Sequence, residues 1–288
     1  MSQLRIGKIP YTNTWPISHF FNPEKFNNEI EFIPQVPSQL NKHMAEGLID
    51  IGPISSFAYA EHADKYFLLP DLSVSAYGNV GSISLFVETS IEDLKNKRIA
   101  LTNTSATSIN LLKIIIQEFL GGNPEYITMS PNIELMLDNA DAALLIGDDA
   151  LLAGLDKEIS KHYKIIDLGE EWRKRTNHWM TFAVWAIRKE VLEANTELVQ
   201  RVYQEFIHSK EEAKKNPDSI IYASIEMYGG SYQFWRSYFE GLSHDFKEKQ
   251  IAGLSHYFKL ANKIGVLSEV PEIEVVNFEK AELYYSFK

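Results

Sequence analysis

Short apolar segments alternate with helix-like segments along the first two-thirds of the chain, and this alternation constrains the fold most strongly. Residues 4–9, 49–54 and 98–102 are short and apolar, as buried strands are, and helix-like segments follow them. Strands that alternate with helices usually form parallel βαβ units. The pattern therefore predicts an α/β protein built mostly from parallel sheet.

Two apolar extended runs, residues 82–87 and 180–187, enclose the second series of strands and helices. The simplest arrangement makes these runs adjacent crossover strands between two lobes, with a cleft between the lobes. A single large doubly wound sheet is the alternative. The predicted lobes are residues 1–87 with 188–288, and residues 88–187.

Composition excludes several classes of protein. The 288 residues include no cysteine, which rules out disulfides and thiolate metal sites. The formal net charge is −11, and no basic run of the kind that binds nucleic acid is present. No apolar stretch has the length of a membrane span, and the N-terminus has no signal-peptide pattern. We therefore expect a cytoplasmic protein with neither a nucleic-acid partner nor membrane insertion.

Small polar side chains are concentrated where predicted strands run into predicted helices. In open α/β sheets, ligands bind at such junctions, and helix starts with free N–H groups hold carboxylates or phosphates. The alternative is that each hydroxyl only caps its own helix. The candidate binding residues are Tyr11, Ser55, Ser56, Gly81, Ser84, Thr104, Ser105 and Thr107.

Standard catalytic motifs do not occur in the sequence. There is no G-x-G-x-x-G, no phosphate-binding G-x-x-x-x-G-K and no H-E-x-x-H pair. The segment from Gly81 to Leu85 lacks the second glycine of a nucleophile elbow. The eight histidines are scattered, so no metal site is expected, and we predict that neither a metal nor an organic cofactor is required.

Several sequence blocks follow one another in a characteristic order along the chain. The opening block is R-I-G-K-I-P-Y-T-N-T-W-P, and G-L-I-D-I-G-P-I-S-S-F-A-Y-A follows it. The later blocks are Y-G-N-V-G-S-I-S-L-F, T-N-T-S-A-T-S, L-L-I-G-D-D-A-L, D-L-G-E-E-W and F-A-V-W-A-I-R. Each block alone is weak, but the ordered series is specific and covers roughly the first two-thirds of the chain. In this order the blocks resemble the chorismate dehydratase family of the futalosine route to menaquinone.

The resemblance implies a type II periplasmic-binding-protein-like fold with a cleft between its lobes. It also implies a lyase that dehydrates chorismate, a small dicarboxylate, to 3-[(1-carboxyvinyl)oxy]benzoate. Asn13 falls at the position of the family's active-site asparagine and Ser82 at that of its active-site serine. Thr12 replaces a bulkier apolar residue of the family, and Asn177 stands where glycine is common.

Three other functions are compatible with parts of this pattern. They are a non-enzymatic solute-binding protein of the same fold, the sister enzyme of the pathway that forms dihydroxynaphthoate, and a regulatory effector-binding module. The sister enzyme usually opens with an S-x-x-P-N-D-T-F-like element that this chain lacks. Turnover of chorismate separates the first alternative from the enzyme.

The catalytic base is left open by the sequence. The motif loops offer amides and hydroxyls, and Lys8, Asp148 and Asp149 are the nearest ionisable candidates. The substrate's own enolpyruvyl carboxylate could instead take the C3 proton, with Asn13 orienting that carboxylate or the leaving hydroxyl. The oligomeric state is not predicted.

Overall fold

The computed structural model describes residues 3–278 and 284–287. Its strands are β1 (Leu4–Lys8), β2 (Ile30–Pro34), β3 (Ile51–Ser55), β4 (Tyr66–Ala76), β5 (Ile83–Val87), β6 (Arg98–Thr102), β7 (Glu125–Met129), β8 (Ala142–Ile146), β9 (Lys164–Asp167), β10 (Met180–Arg188), β11 (Ile273–Val276) and β12 (Tyr284–Phe287). Its helices are α1 (Trp15–Ser18), α2 (Pro37–Ala45), α3 (Ser56–Glu61), α4 (Thr107–Ile114), α5 (Ile133–Asn139), α6 (Gly147–Leu155), α7 (Lys157–His162), α8 (Leu168–Thr176), α9 (Lys189–Ala194), α10 (Thr196–Lys215), α11 (Pro217–Tyr228), α12 (Tyr232–Gly241) and α13 (Glu248–Lys263). Short 3₁₀ turns connect several of these elements, and one π-helical turn continues α4.

The strands form two separate sheets, each at the centre of one lobe. The first sheet has the order β12-β11-β4-β10-β3-β1-β2, with β1 parallel to β2 and β3 and with β10 antiparallel to both neighbours. The second has the order β7-β6-β8-β5-β9, in which β6 is parallel to β7 and β8. This mixed α/β architecture with two sheets is the two-lobe fold expected from the sequence.

The predicted pairing of the two crossover strands is wrong. Leu85 in β5 pairs with β8 and β9 of the second sheet, whereas Val184 in β10 pairs with β3 and β4 of the first. Each run therefore belongs to the sheet that the chain is entering, which is the second sheet for β5 and the first sheet for β10. Both runs are apolar and extended, and that pattern carries no information about the partner strand.

The chain passes between the two sheets twice. It leaves the first sheet after β4 and enters the second at β5, and it returns between β9 and β10. The strands within residues 1–87 and within residues 88–187 are therefore not confined to one sheet each. The lobe limits 1–87 with 188–288, and 88–187, stay a prediction.

The packing of α2 shows how the sequence determines local structure. Leu40 and Met44 lie one turn apart on this helix and are both buried against the first sheet, as their spacing predicts. Gly7 in β1 faces Leu40 so closely that a Cβ at this glycine would lie 2.3 Å from Leu40 Cδ1. The glycine is therefore needed for the close approach of helix and strand.

The C-terminal helices cover the first sheet and also contact the second lobe. Along α10, Val199, Val202 and Phe206 pack on one face of the first sheet. In α12, Trp235 and Tyr238 pack with Leu151 of α6, which belongs to the second lobe. This apolar cluster places α12 at the junction of the lobes. Across the described ranges, no helix combines the length and apolarity needed to cross a membrane.

Candidate active site

The carboxylate of Asp148 is a central contact between the lobes. Asp148 lies at the start of α6 and is 5% exposed. Its Oδ1 accepts hydrogen bonds from the backbone nitrogen of Thr12 at 3.1 Å and from Thr12 Oγ1 at 2.6 Å, and its Oδ2 accepts one from the Tyr228 hydroxyl at 2.9 Å. Burial raises the pKa of Asp148, and the hydrogen bonds oppose that shift. This Thr12–Asp148 bridge ties the turn after β1 to the second lobe.

Asn13 follows Thr12 in the same turn and is held by its main chain. The Asn13 carbonyl oxygen accepts a hydrogen bond from His244 Nε2 at 2.7 Å. Burial lowers the pKa of His244 to about 4, so the ring is neutral near pH 7 and Nε2 carries its proton. Within residues 3–278 and 284–287, the Asn13 carboxamide has no hydrogen-bond partner. The turn is therefore fixed while the carboxamide keeps its full hydrogen-bonding capacity.

The loop before Ser82 is anchored by Asp167, the last residue of β9. The Asp167 carboxylate accepts hydrogen bonds from the backbone nitrogens of Val80 at 3.0 Å and Gly81 at 2.6 Å. Burial raises the pKa of Asp167, although these backbone donors favour its charged form. The N–H of Gly81 is thus occupied within the protein, and its carbonyl oxygen accepts a long bond of 3.4 Å from Ser84 Oγ.

Ser82 itself has a buried hydroxyl that no other described group satisfies. The residue is fully buried, and its carbonyl oxygen accepts a hydrogen bond from the backbone nitrogen of Gly147 at 2.7 Å, next to Asp148. The hydroxyl of Tyr238 in α12 is also buried and makes no well-formed hydrogen bond. The hydroxyls of Ser82 and Thr12 lie close enough to it to oppose the effect of burial on the pKa of the phenol. Two unsatisfied hydroxyls therefore lie beside the Thr12–Asp148 bridge.

Two other candidate hydroxyls form structural hydrogen bonds at the junction. Ser56 Oγ donates to the carbonyl oxygen of Thr181 at 2.7 Å. Thr107 Oγ1 accepts from the backbone nitrogen of Phe57 at 3.0 Å and so joins the start of α4 to the start of α3. Both side chains are buried, and their hydrogen bonds position backbone at the junction.

Three further candidates serve local backbone geometry. Ser55 Oγ accepts a hydrogen bond from the first turn of α3, and Ser105 Oγ accepts one from the first turn of α4. Thr104 shares a hydrogen bond of 2.8 Å with the hydroxyl of Thr102. Capping, the alternative raised by the sequence, thus accounts for the helix-directed bonds of Ser55 and Ser105. The bond of Thr104 instead joins two hydroxyls at the end of β6.

Tyr11 closes one side of the junction. Gly147 has φ +61°, and a Cβ there would lie 2.6 Å from Tyr11 Cδ2, so the ring rests directly on this glycine. Burial, together with the nearby charge of Asp149, raises the pKa of Tyr11 to about 12. Burial and Asp148 raise the pKa of Asp149 in turn. The junction therefore favours neutral hydrogen-bond donors over additional anions.

The backbone conformation of Asn177 explains why asparagine can stand where glycine is common in the family. It ends α8 with φ +57°, in the left-handed region that glycine adopts most easily and asparagine next. In the described ranges, no three His, Asp or Glu side chains are arranged to hold a metal ion. The expectation that no cofactor is needed stays a prediction.

Asp167, His244 and Tyr238 are among the residues that shape this junction but were not candidates from the sequence. Asp167 begins the D-L-G-E-E-W block, so its motif could have indicated a fixed role. His244 and Tyr238 lie in the helical third, where nothing in the pattern distinguishes Tyr238 from Tyr232. Only the packing of α12 against α6 reveals the position of Tyr238.

Comparison with solved structures supports the fold. A protein of Archaeoglobus fulgidus matches with a TM-score of 0.73 and 23% identity, over 92% of this chain and 98% of that one. A Candida albicans protein described as having the generic periplasmic-binding-protein fold matches with a TM-score of 0.68 and 14% identity, over 94% of this chain and 92% of that one. These likenesses show the periplasmic-binding-protein fold.

Two curated relatives are similar in sequence. A chorismate dehydratase of Thermus thermophilus is 36% identical over 197 residues, which are 64% of this chain and 70% of the relative. A chorismate dehydratase of Campylobacter jejuni is 31% identical over 181 residues, which are 62% of this chain and 64% of the relative. The alignment with the Campylobacter enzyme thus spans less than two-thirds of that protein.

The family comparison covers most of the molecule. A family model described as menaquinone biosynthesis matches residues 4–263. The match includes both sheets up to β10 and the helices through α13. The chain therefore belongs to this menaquinone biosynthesis family.

Proposed function

We propose that this protein is a hydro-lyase that dehydrates chorismate to 3-[(1-carboxyvinyl)oxy]benzoate in menaquinone biosynthesis. The family match and the similarity to two chorismate dehydratases support this reaction. The observation that carries the proposal is geometric. At the start of α6, Gly147 bonds the main chain of Ser82, and the next residue, Asp148, bonds Thr12 beside Asn13, so the two segments are held next to each other. The side chains of Asn13 and Ser82 make no well-formed hydrogen bond in the described ranges.

The reaction requires positioning more than strong acid or base groups. Chorismate loses hydrogen from C3 and hydroxyl from C4, and the ring becomes aromatic, so the overall reaction is strongly favourable. The protein has to hold two carboxylates, orient the leaving hydroxyl and stabilise charge that develops on the ring carboxylate. Neutral amides and hydroxyls at a buried junction are suited to these tasks, because a low local dielectric strengthens their hydrogen bonds.

We assign Asn13 and Ser82 to direct contact with the substrate. Asn13 would orient the enolpyruvyl carboxylate or the leaving hydroxyl, and Ser82 would donate to a substrate oxygen. Tyr11, Gly81, Ser84 and Thr104 would shape the pocket around them. Four further hydroxyls would hold the backbone around the pocket in place by hydrogen bonds to main-chain groups, namely those of Ser55, Ser56, Ser105 and Thr107.

The enolpyruvyl carboxylate of the substrate is our proposed base. It takes the C3 proton, the C4–O bond breaks as the ring becomes aromatic, and the departing hydroxide receives that proton and leaves as water. This route needs no protein base. The contacts of Asp148 agree with this route, because its carboxylate already accepts hydrogen bonds from Thr12 and Tyr228 and is therefore engaged in structure. A biosynthetic role also agrees with the cytoplasmic location that we propose.

Incubation of the purified protein with chorismate tests the proposal. We expect loss of chorismate and formation of an aromatic product lighter by one water, identified by chromatography and mass spectrometry. The reaction should proceed equally with and without a chelator. Heat-denatured protein is the control. Saturable binding of chorismate without turnover would instead indicate a solute-binding protein and contradict the proposal.

A further inference from the structure

Tyr238 is fixed firmly in place by its ring. It lies in α12, is 6% exposed and packs with Leu151 and Trp235. The ring also rests on Gly81, where a Cβ would lie 2.9 Å from Tyr238 Cδ2. Gly81 immediately precedes Ser82, so this packing brings the phenol to the active-site serine.

The hydroxyl of Tyr238 differs from those of three other tyrosines that are buried or partly buried, although the hydroxyl of Tyr126 is likewise buried without a partner. The hydroxyls of Tyr59, Tyr228 and Tyr257 each donate to an acceptor, at 3.0, 2.9 and 3.1 Å. Neither the hydroxyl of Tyr238 nor that of Ser82 makes a well-formed hydrogen bond. The two are nevertheless close enough for Ser82 to influence the pKa of the phenol. A buried polar group without a partner is costly, so two of them at one point indicate a site that a ligand completes.

The surroundings keep the phenol a neutral donor. Burial raises the pKa of Tyr238 well above its usual value, and the charge of Asp148 acts in the same direction. The polar groups that act on the phenol are Ser82, Thr12 and Asp148, and the Thr12 hydroxyl already donates to Asp148. The phenol therefore keeps its proton and has a hydrogen bond to give.

We infer that Tyr238 is a further substrate-contacting residue, whose hydroxyl and that of Ser82 donate hydrogen bonds to the same oxygen-bearing group of the substrate. The inference rests on the proposed function. The group bound is an oxygen that carries or develops negative charge, because both partners are donors in a site closed to water. No proton leaves the phenol in this step.

Replacement of Tyr238 by phenylalanine tests the inference, because it removes the hydroxyl and keeps the ring on Gly81. A hydrogen bond to a charged group contributes about 1.5–3 kcal/mol. We therefore expect kcat/KM for chorismate to fall roughly 10- to 150-fold. The midpoint of urea unfolding should stay the same or rise, because an unsatisfied buried hydroxyl is lost. Tyr232→Phe is the matched control, since its hydroxyl bonds Asp218 at 2.6 Å on the exposed side of α12.

A structural role gives the opposite pattern. If the two hydroxyls bond only each other in solution, Tyr238→Phe leaves Ser82 unpaired, lowers the unfolding midpoint and leaves kcat/KM unchanged. That result would overturn the inference. The double variant Ser82→Ala/Tyr238→Phe should lose less than the product of the two single losses, because both residues act on one group. If the loss of kcat/KM in the double variant equals the product of the two single losses, the two hydroxyls do not bind the same substrate group.

The wild-type protein separates this inference from the proposed function. Absence of chorismate turnover by the wild type removes the proposed function, and the inference with it. Turnover by the wild type together with a kcat/KM of Tyr238→Phe within twofold of it removes the inference alone.

Discussion

Two sets of buried hydroxyls meet at the junction of the lobes, and they differ in what they bond. Ser56 and Thr107 donate to or accept from backbone groups of the protein, at 2.7 and 3.0 Å. Ser82 and Tyr238 bond no described group. The hydroxyls of the first set stabilise the junction by bonding backbone groups, whereas those of the second set remain available to bond a ligand.

This difference predicts opposite effects of mutation. Removal of a satisfied hydroxyl leaves a backbone group unpaired and reduces the free energy of unfolding. Removal of an unsatisfied one relieves a cost of folding, so only activity should fall. Sites of this second kind are where stability and function conflict. Stability and kinetics therefore have to be measured together on each variant.

Asn13→Ala should have the largest effect. The carboxamide has no partner in the described chain, while the main chain of Asn13 is held by His244. We expect kcat to fall by about 100-fold or more, as when a donor that stabilises developing charge is removed. Thermal unfolding should be close to that of the wild type. A kcat within tenfold of the wild type would remove Asn13 from the reacting centre.

His244 should make the folded state sensitive to acid. Its pKa is about 4 in the folded protein because the ring is buried, against about 6.5 when unfolded. Its stabilising contribution is complete above the unfolded pKa and is lost as the pH falls from about 6.5 to about 4. The loss corresponds to about 3 kcal/mol.

His244→Gln tests this dependence and keeps a donor for the Asn13 carbonyl. The free energy of unfolding is measured by urea titration at pH 7 and at pH 4. We expect the wild type to lose about 3 kcal/mol more than the variant over this interval. Parallel losses in the two proteins would show that His244 is not the titrating group.

Ser82→Ala should reduce kcat/KM roughly 10- to 150-fold, which corresponds to one charge-assisted hydrogen bond. Stability should be unchanged or higher, because the Ser82 hydroxyl is buried without a partner. Ser224→Ala is the matched control, since this buried serine of α11 donates only to the carbonyl oxygen of Ile220 in its own helix, at 2.9 Å. Wild-type kinetics for Ser82→Ala would erase the distinction between the two sets of hydroxyls.

Thr107→Val should behave in the opposite way. It keeps the shape of the side chain but leaves the backbone nitrogen of Phe57 without its acceptor. We expect the free energy of unfolding to fall by about 1–3 kcal/mol. The kcat measured well below the unfolding temperature should change less than that of Ser82→Ala. A large loss of kcat without loss of stability would place Thr107 with the substrate-binding hydroxyls.

The sequence could predict the local elements and the position of the junction. The spacing of Leu40 and Met44 indicates the buried face of α2, because helix periodicity is encoded within a few residues. Likewise, the loops that hold Asn13 and Ser82 stand out as polar segments after apolar strands. Both kinds of signal depend only on neighbours in sequence.

The sequence could not predict contacts between distant segments. The partners of β5 and β10 depend on pairing between residues that are far apart in the sequence, such as Leu85 with Leu144 and Val184 with Ile54, and either sheet accepts an apolar strand. Whether Thr107 is free to bind a ligand depends on Phe57, which lies 50 residues away. Tyr238 comes from a helix without motif character. For these reasons, the sequence indicates where the candidate site lies but not which of its hydroxyls are free to bind a ligand.

The smallest effects are expected for the ionisable residues that could have served as base. Lys8 is exposed at the end of β1, and Asp149 is half-buried with its pKa raised by burial and by Asp148. Asp148 is engaged in the Thr12–Asp148 bridge. If the substrate's carboxylate takes the C3 proton, none of these side chains has to accept it.

We therefore expect Lys8→Ala, Asp149→Asn and Asp148→Asn each to keep kcat within about tenfold of the wild type, because a positioned general base contributes about 10²–10⁴-fold. Asparagine replaces Asp148 here because alanine would leave Thr12 and Tyr228 without an acceptor. Substrate binding and thermal unfolding are measured on the same samples. Suppose one variant loses kcat by more than 100-fold while its binding and folding match the wild type. The protein then supplies the base, and the amide and hydroxyl groups of Asn13, Ser82 and Tyr238 act only by positioning the substrate.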